Sequence, residues 1–267
     1  MKQLYFLHVP KTAGKFISAS IQKSMPESQN LLYISTHFPN NNEFLSDKIY
    51  ISAHAGTYIP EYIKDSEVAT IVRNPVEARA SYFNFIYHMY LDTRKEYNNI
   101  PTMREKFLYY LFEDKNFLIH NNYQSRFLCN PSDARSWDRK SFFEIHSSEM
   151  FKKYQDGAAF DWFVGDDNTS LDLAINNISN FKIKNTVDRL DLFLKSISEW
   201  FLLNHGLQIK FNQNEKTNES LSSYNGVDYS SKDLIDLLTE EEISRILYLN
   251  SIDYAVYNFV KEQEKDD

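Results

Sequence analysis

The amino-acid sequence predicts an α/β fold in which a central parallel sheet lies between layers of helices. Short apolar runs alternate with helical patterns along the first third of the chain, which is typical of parallel strands joined by right-handed crossovers. The length of 267 residues, with 42% hydrophobic residues, allows a sizeable core and favours a single domain spanning residues 1–267.

The predicted elements follow from the spacing of apolar residues. Apolar runs predict strands near 3–9, 31–35, 49–53, 68–72 and 181–184. Apolar residues at intervals of three to four predict helices near 15–24, 75–91, 103–112, 116–128, 140–154, 170–179, 187–204 and 239–263. We expect the aromatic-rich helical insertion at 90–155 to border a cleft, and the polar stretch 212–223 to be a loop.

The first strand and the first helix are joined by the segment HVPKTAGK, residues 8–15. A tight loop before a helix directs backbone N–H groups and the positive end of the helix dipole at an anion, and a lysine adds a full charge. The segment therefore predicts a phosphate site. It differs from a Walker loop, because Val9 stands at the first glycine position and Phe16 replaces the hydroxyl that binds magnesium.

Two other predicted strands end in polar residues. The strand at 68–72 is followed by Arg73, then by Pro75 in a first helical turn, and Ser81 lies about two turns further on. A planar guanidinium suits a phosphate because it donates two parallel hydrogen bonds. The strand at 49–53 is followed by His54, which can accept a proton at neutral pH. Ligands gather at the carboxyl ends of such strands.

Together these segments resemble the sulfotransferases that use 3′-phosphoadenosine 5′-phosphosulfate (PAPS), in the carbohydrate branch similar to heparan sulfate 2-O-sulfotransferases. The resemblance lies in the PKTAG loop, the RNPVE segment and the spacing of Arg73 and Ser81. It implies a P-loop-NTPase-like three-layer α/β/α fold, PAPS as co-substrate without a metal, and transfer of a sulfuryl group to a carbohydrate hydroxyl. Asn74 stands where that family usually has Asp, and Arg79 lies one position later than usual.

The resemblance also implies roles for individual residues. His54 is expected to be the base that takes the acceptor proton, and Lys11 to stabilise the leaving phosphate. The residues expected to bind the nucleotide are Lys11, Thr12, Ala13, Gly14, Lys15, Phe16, Arg73 and Ser81. For His54, a purely structural role in binding a backbone carbonyl stays open.

Weaker similarities extend along the second half. The segment NYQSRFL, residues 122–128, resembles a stretch near the acceptor in that family, so Gln124 and Arg126 are candidate substrate contacts. A helix surface with its own salt bridge explains these residues equally well. Lys216 or Asn218 in the polar stretch is a candidate to fold over the nucleotide, although a solvated linker is the simpler interpretation.

Composition restricts the partners. The net charge of −8 argues against a nucleic-acid partner, so the expected partner is a hydroxyl-bearing acceptor such as a saccharide. The single Cys129 excludes an internal disulfide, and no apolar run is long enough for a membrane span. The short apolar stretch after Lys2 does not match a signal peptide, so we expect a cytoplasmic enzyme of unknown oligomeric state.

Two other functions stay open at this point. One is a kinase-like phosphoryltransferase of the wider P-loop class, which the absent hydroxyl at Phe16 disfavours. The other is a non-catalytic relative that binds a nucleotide or a glycan.

Overall fold

Five parallel strands form a single sheet at the centre of the computed structural model. The strands are β1 Gln3–Leu7, β2 Asn30–Leu32, β3 Tyr50–Ala53, β4 Ser66–Val72 and β5 Ile183–Thr186. Their order across the sheet is β2-β3-β1-β4-β5, and every neighbouring pair is parallel. β1 lies in the middle with all five residues buried, as expected for a strand covered on both faces. The predicted α/β fold with a central parallel sheet is confirmed.

The structure describes residues 1–32, 45, 47–63, 65–89, 94–115, 121–131, 167–211 and 230–265. The helix predicted at 140–154, much of the 90–155 insertion, and the loop at 212–223 with Lys216 and Asn218 lie outside these residues.

Helices cover both faces of the sheet. Leu4 and Phe6 of β1 face a cluster formed with α1 (Gly14–Lys23) and α8 (Leu190–His205). Tyr5 and Leu7 face the opposite cluster, which contains residues of α6 (Tyr123–Cys129), α7 (Leu171–Ser179) and α11 (Ser251–Gln263). Side chains alternate between the faces of a strand, so apolar runs such as Leu4–Leu7 feed both clusters. The arrangement is consistent with three α/β/α layers.

A third apolar cluster joins the remaining helices, with α3 (Pro75–Met89) at its centre. Phe83 of α3 packs against Phe107 and Tyr110, with ring centroids 5.0 and 5.2 Å away. The other helices of this cluster are α4 (Lys95–Asn98), α5 (Met103–Phe112), α9 (Ser231–Asp236) and α10 (Glu240–Leu249). This cluster accounts for the aromatic residues at 94–115 of the predicted helical insertion, whereas Tyr123 and Phe127 belong to the cluster that contains α6.

Several boundaries differ from those predicted. β5 begins two residues later than the predicted strand at 181–184, and a short helix α2 (Tyr58–Tyr62) follows β3. The helix predicted at 239–263 is two helices that meet at Asn250. The Asn250 side chain donates to the Ile246 carbonyl and accepts from the backbone N–H of Asn122. It therefore lies at the end of α10 and contacts the residue that precedes α6.

The last helix is attached to the edge of the sheet by buried polar groups. The Glu264 carboxylate accepts from the backbone N–H of Thr186 and, at 2.9 Å, from its hydroxyl. The Tyr257 hydroxyl donates to Asp188, two residues after the end of β5. Of the helices in the described part of the chain, none has the length and apolar character needed to cross a membrane.

Candidate functional site

Three polar residues directly follow three neighbouring strands of the sheet. His8 comes after β1, His54 after β3 and Arg73 after β4. Leu7 pairs with Ala53, and the His8 N–H donates to the Ala53 carbonyl at 3.0 Å, so the first two residues leave the sheet side by side. The fold thus brings together the predicted phosphate loop, the predicted base and the predicted phosphate-binding arginine at one edge of the sheet.

The loop between β1 and α1 has an unusual backbone. Lys11 has a φ of 68° and Ala13 a φ of 66°, so two residues with side chains adopt the left-handed conformation with one residue between them. This conformation costs about 1 kcal/mol or more for a residue with a Cβ atom. Alternation of left-handed and right-handed residues turns successive N–H groups toward one point, the geometry of an anion-binding nest.

Four successive carbonyls of this loop, those of residues 8–11, each accept a side-chain hydrogen bond. The donors, in that order, are Nδ1 of His54, Oγ1 of Thr12 at 2.7 Å, the Tyr123 hydroxyl at 3.2 Å and Nη1 of Arg73 at 3.3 Å. Three of these donors come from β3, β4 and α6 or the residues that follow them, so most of the sheet edge contributes. All four carbonyl oxygens are thereby paired within the fold.

The N–H groups of the loop have a different environment. Within the described residues, the backbone N–H groups of residues 11–15 donate no hydrogen bond. The N–H of Phe16, which the sequence included in the cradle, donates to the Ala13 carbonyl at 3.1 Å. Five successive donors at the start of a ten-residue helix therefore remain available to an anion.

Gly14 is required by a close approach and not by its φ angle. The His8 ring lies against its Cα, and a Cβ at position 14 would overlap ring atoms of His8. The ring is held there by stacking on Phe6, with ring centroids 5.5 Å apart. His8 is therefore a packing residue between β1 and α1. Burial, and then the charges of His54 and Lys15, lower its pKa well below the ordinary value.

His54 has a defined tautomer. Its Nδ1 lies within hydrogen-bond distance of the His8 carbonyl, which only accepts, so we assign the proton to Nδ1 and the basic lone pair to Nε2. Burial lowers the pKa of His54 to about 4; the bond to His8 opposes this effect and the charge of Lys15 adds to it. The ring is thus neutral at pH 7, the form that a general base requires.

Lys11 and Arg73 lie over one face of α3. Nζ of Lys11 is 4.6 Å from the centre of the Phe85 ring, and Nε of Arg73 is 3.0 Å from the Glu77 carboxylate. Ser81 lies midway between Glu77 and Phe85, four residues from each, and so shares their helix face. Burial, and then repulsion by Lys15 and Arg73, lower the pKa of Lys11 to about 8. The predicted nucleotide-binding cations therefore form one electropositive group.

The two predicted acceptor contacts have other partners. The Gln124 side chain, 1% exposed, exchanges two hydrogen bonds of 2.9 Å with the backbone of Arg73. Nε of Arg126 lies 3.4 Å from the Asp167 carboxylate. A role in acceptor binding stays a prediction for both residues. Arg79, with 1% exposure, lies over the Tyr110 ring in the third apolar cluster and not in the loop region.

Sequence reasoning missed four residues of this region: Glu77, Phe85, Tyr123 and Asp253. Glu77 and Phe85 carry a local signal, because they stand four residues before and after Ser81 on the same helix. Tyr123 carries none, since its contact with Pro10 joins residues 113 positions apart. Asp253 accepts from the N–H groups of Gln124 and Ser125, which only the packing of α11 against α6 reveals.

The described residues contain no group of three or more His, Cys, Asp and Glu side chains arranged to hold a metal ion. Comparison with the models of known protein families and with the curated proteins finds no match for this chain. What the site does must therefore be inferred from its own geometry and charge.

Proposed function

We propose that the protein is a PAPS-dependent sulfotransferase that transfers a sulfuryl group to a hydroxyl of a carbohydrate acceptor. The observation that carries the proposal is the polarity of the loop. Its carbonyls at 8–11 accept hydrogen bonds from side chains, while its N–H groups at 11–15 have no acceptor in the described part of the chain. Beside the positive charges of Lys11 and Arg73, this arrangement favours a phosphate or phosphosulfate group.

The nature of position 16 favours a phosphosulfate over a nucleoside triphosphate. Phe16 is 8% exposed and packs near Phe211, with ring centroids 6.3 Å apart, so the first turn of α1 has an aromatic ring where a Walker loop has its magnesium-binding hydroxyl. Arg73, which directly follows β4, and Ser81 on α3 are the donors that we assign to a further phosphate. A nucleotide with both a 5′- and a 3′-phosphate suits this pair of sites.

In the proposed reaction, the acceptor oxygen forms a bond to sulfur while the bond from sulfur to the bridging phosphate oxygen breaks. Nε2 of His54 accepts the hydroxyl proton, a contribution of about 10²–10⁴-fold in such reactions. Lys11 and the loop N–H groups bind the negative charge that develops on the leaving phosphate. The products are a sulfated acceptor and 3′-phosphoadenosine 5′-phosphate, and most of the acceleration comes from positioning and charge.

Titration calorimetry with 3′-phosphoadenosine 5′-phosphate and adenosine 5′-phosphate tests the proposal. We expect the wild-type protein to prefer the 3′-phosphorylated nucleotide, and Arg73→Ala to lower that affinity about 10–100-fold, because charged hydrogen bonds are lost. Lys195→Ala is the control, since it removes one positive charge from the exposed surface of α8. Equal affinity for the two nucleotides would contradict the proposal.

Two further outcomes separate the alternatives. Magnesium-dependent turnover of ATP, without a response to PAPS, would support a phosphoryltransferase. Tight binding of 3′-phosphoadenosine 5′-phosphate without sulfuryl transfer to any member of a broad saccharide panel would support a non-catalytic binding protein.

A further inference from the structure

We infer that Gln124 and Asp253 are positioning residues for Arg73, and that they determine how strongly the protein selects a nucleotide with a 3′-phosphate. The inference rests on the proposed function, because it concerns the selectivity of the same site. Three links carry it: Gln124 to the backbone of Arg73, Arg73 to the loop, and Asp253 to the start of α6.

The first link fixes the backbone of Arg73. This residue lies between the end of β4 and the start of α3, where neither strand nor helix pairs its backbone groups. The Gln124 amide substitutes for a neighbouring strand. Its Oε1 accepts from the Arg73 N–H, and its Nε2 donates to the Arg73 carbonyl, both at 2.9 Å. One side chain thus pairs both the N–H and the carbonyl of Arg73, which belong to the two peptide units on either side of its Cα.

The second link extends to the guanidinium. Nε of Arg73 is bonded to Glu77 at 3.0 Å, and Nη1 donates to the Lys11 carbonyl at 3.3 Å. Both partners lie on elements with fixed positions, α3 and the loop. A shift of the Arg73 backbone would therefore lengthen one of these bonds and turn the planar donor face away from an anion, since a guanidinium binds a phosphate in a narrow range of orientations.

The third link sets the position of Gln124 itself. The Asp253 carboxylate, 2% exposed, accepts from the N–H groups of Gln124 at 3.2 Å and Ser125 at 2.7 Å, and from the Ser125 hydroxyl at 2.6 Å. In return, the Asn122 side-chain oxygen accepts from the N–H groups of Ile252 and Asp253. Hydrogen bonds therefore join the first turns of α6 and α11 in both directions. Gln124 is the residue of α6 that is bonded to Arg73.

The consequence is that two buried side chains, Gln124 and Asp253, set the orientation of the partly buried Arg73 guanidinium, although both are far from Arg73 in sequence. Loss of the Gln124 amide should weaken the binding of the 3′-phosphate more than that of the 5′-phosphate, because only one of the four hydrogen bonds to the loop carbonyls comes from Arg73 and the other three come from Thr12, His54 and Tyr123. A residue that only stabilised the fold would weaken the binding of both nucleotides to the same degree.

The test compares the affinities of 3′-phosphoadenosine 5′-phosphate and adenosine 5′-phosphate in Gln124→Met and Asp253→Asn proteins. Met retains the length of Gln124 without its hydrogen bonds. We expect it to lower the affinity for the first nucleotide about 10-fold and for the second less than about 3-fold. Asp253→Asn should shift the ratio in the same direction, because a donor replaces one acceptor oxygen at the start of α6.

Asn177→Leu is the matched control. Nδ2 of Asn177 donates to the Leu128 carbonyl at 2.8 Å, so this variant removes a side-chain hydrogen bond from the opposite end of α6 without touching Arg73. Its ratio of affinities should equal that of the wild type. If Gln124→Met does not fold, Ser125→Ala tests the link between Asp253 and α6, because it removes one of three donors to Asp253. We expect it to reduce the ratio of the two affinities about 2–3-fold.

The outcomes distinguish the two proposals. A wild-type protein that selects the 3′-phosphate, with Gln124→Met and Asp253→Asn proteins that select it equally well, would overturn the positioning role and leave the proposed function intact. An equal loss of affinity for both nucleotides in Gln124→Met would also overturn it. A wild-type protein that does not select the 3′-phosphate would overturn the proposed function, and the positioning role for that phosphate with it.

Discussion

The protonation states of single residues determine when the site is ready to bind an anion and accept a proton. His54 is neutral above a pKa of about 4, and Lys11 is charged below a pKa of about 8. Burial is the main cause of both shifts, since it disfavours the charged form of each side chain. Between these values the proposed base His54 can accept a proton while Lys11 keeps its charge.

The lowered pKa of Lys11 predicts that the affinity for 3′-phosphoadenosine 5′-phosphate falls as the pH rises through about 8, because the ammonium loses its proton and with it the attraction to phosphate. Calorimetry between about pH 7 and about pH 10 measures this fall in affinity. The whole range lies above the second pKa of the phosphate, which is about 6.

Lys11→Arg is the companion variant, because a guanidinium keeps its charge throughout that range. Its affinity should change little with pH. A fall of equal size in both proteins would show that another group is responsible.

Some of these residues are readable from the sequence and others are not. His54 and Arg73 each stand directly after an apolar run, and Lys11 lies four residues after one, so their place near the carboxyl ends of the strands follows from the pattern alone. The left-handed conformation of Ala13 does not, because no local preference of alanine favours it. It arises from the hydrogen bonds that surrounding elements make to the loop.

At the scale of elements, the junction of β1 and α1 is the most constrained part of the fold. The His8 ring is stacked on Phe6 and fills the space beside the Cα of Gly14. The ring has no freedom to move away, because it also lies against His54, with ring centroids 4.2 Å apart. Substitution at position 14 therefore tests whether packing sets the start of α1.

Gly14→Ala should lower the free energy of unfolding by about 1–3 kcal/mol, the usual effect of overpacking a buried position. In a His8→Ala background, Gly14→Ala should lower the free energy of unfolding by less than it does in the wild type, because the overlapping ring is gone. Urea denaturation measures the four free energies of the cycle.

Gly206→Ala is the control for this cycle. Gly206 has a φ of 65° and no atom near the position of a Cβ, so its substitution costs only backbone strain, about 1 kcal/mol. His8→Ala should not change that value. A Gly14→Ala protein as stable as the wild type would refute the packing explanation.

The prediction of elements succeeded where local signals are strong. Capping boxes at Thr102 and Thr239 mark the starts of α5 and α10, both of which were predicted, whereas α9, which begins after the capping box at Ser230, was not predicted. The predicted helix at 239–263 was wrong in its continuity, because the break depends on Asn250 contacting Asn122 across 128 positions. Such a contact leaves no trace in the periodicity of either segment.

At the scale of the whole molecule, the last helix stabilises the edge of the sheet. Glu264 is buried and accepts from both the backbone N–H and the hydroxyl of Thr186, the last residue of β5. β5 has one neighbouring strand, β4, so these bonds complete the pairing that the edge strand lacks.

Glu264→Ala should lower the free energy of unfolding by about 3 kcal/mol, because it leaves two buried polar groups of Thr186 without a partner. Glu262→Ala, two residues earlier on the exposed side of α11, should change it by less than about 0.5 kcal/mol. Urea denaturation of the three proteins decides the matter, and equal stability of Glu264→Ala and wild type would rule out this attachment.

The hydrogen bonds to the loop carbonyls have a consequence for the order of folding. Their donors lie 46, 62 and 113 residues after the carbonyls of His8, Lys11 and Pro10. During synthesis the first residues therefore leave the ribosome long before the groups that shape them, and contacts between distant residues form slowly. The loop completes its hydrogen bonds only after α6 has packed, which makes the proposed nucleotide binding a late event and a measure of completed folding.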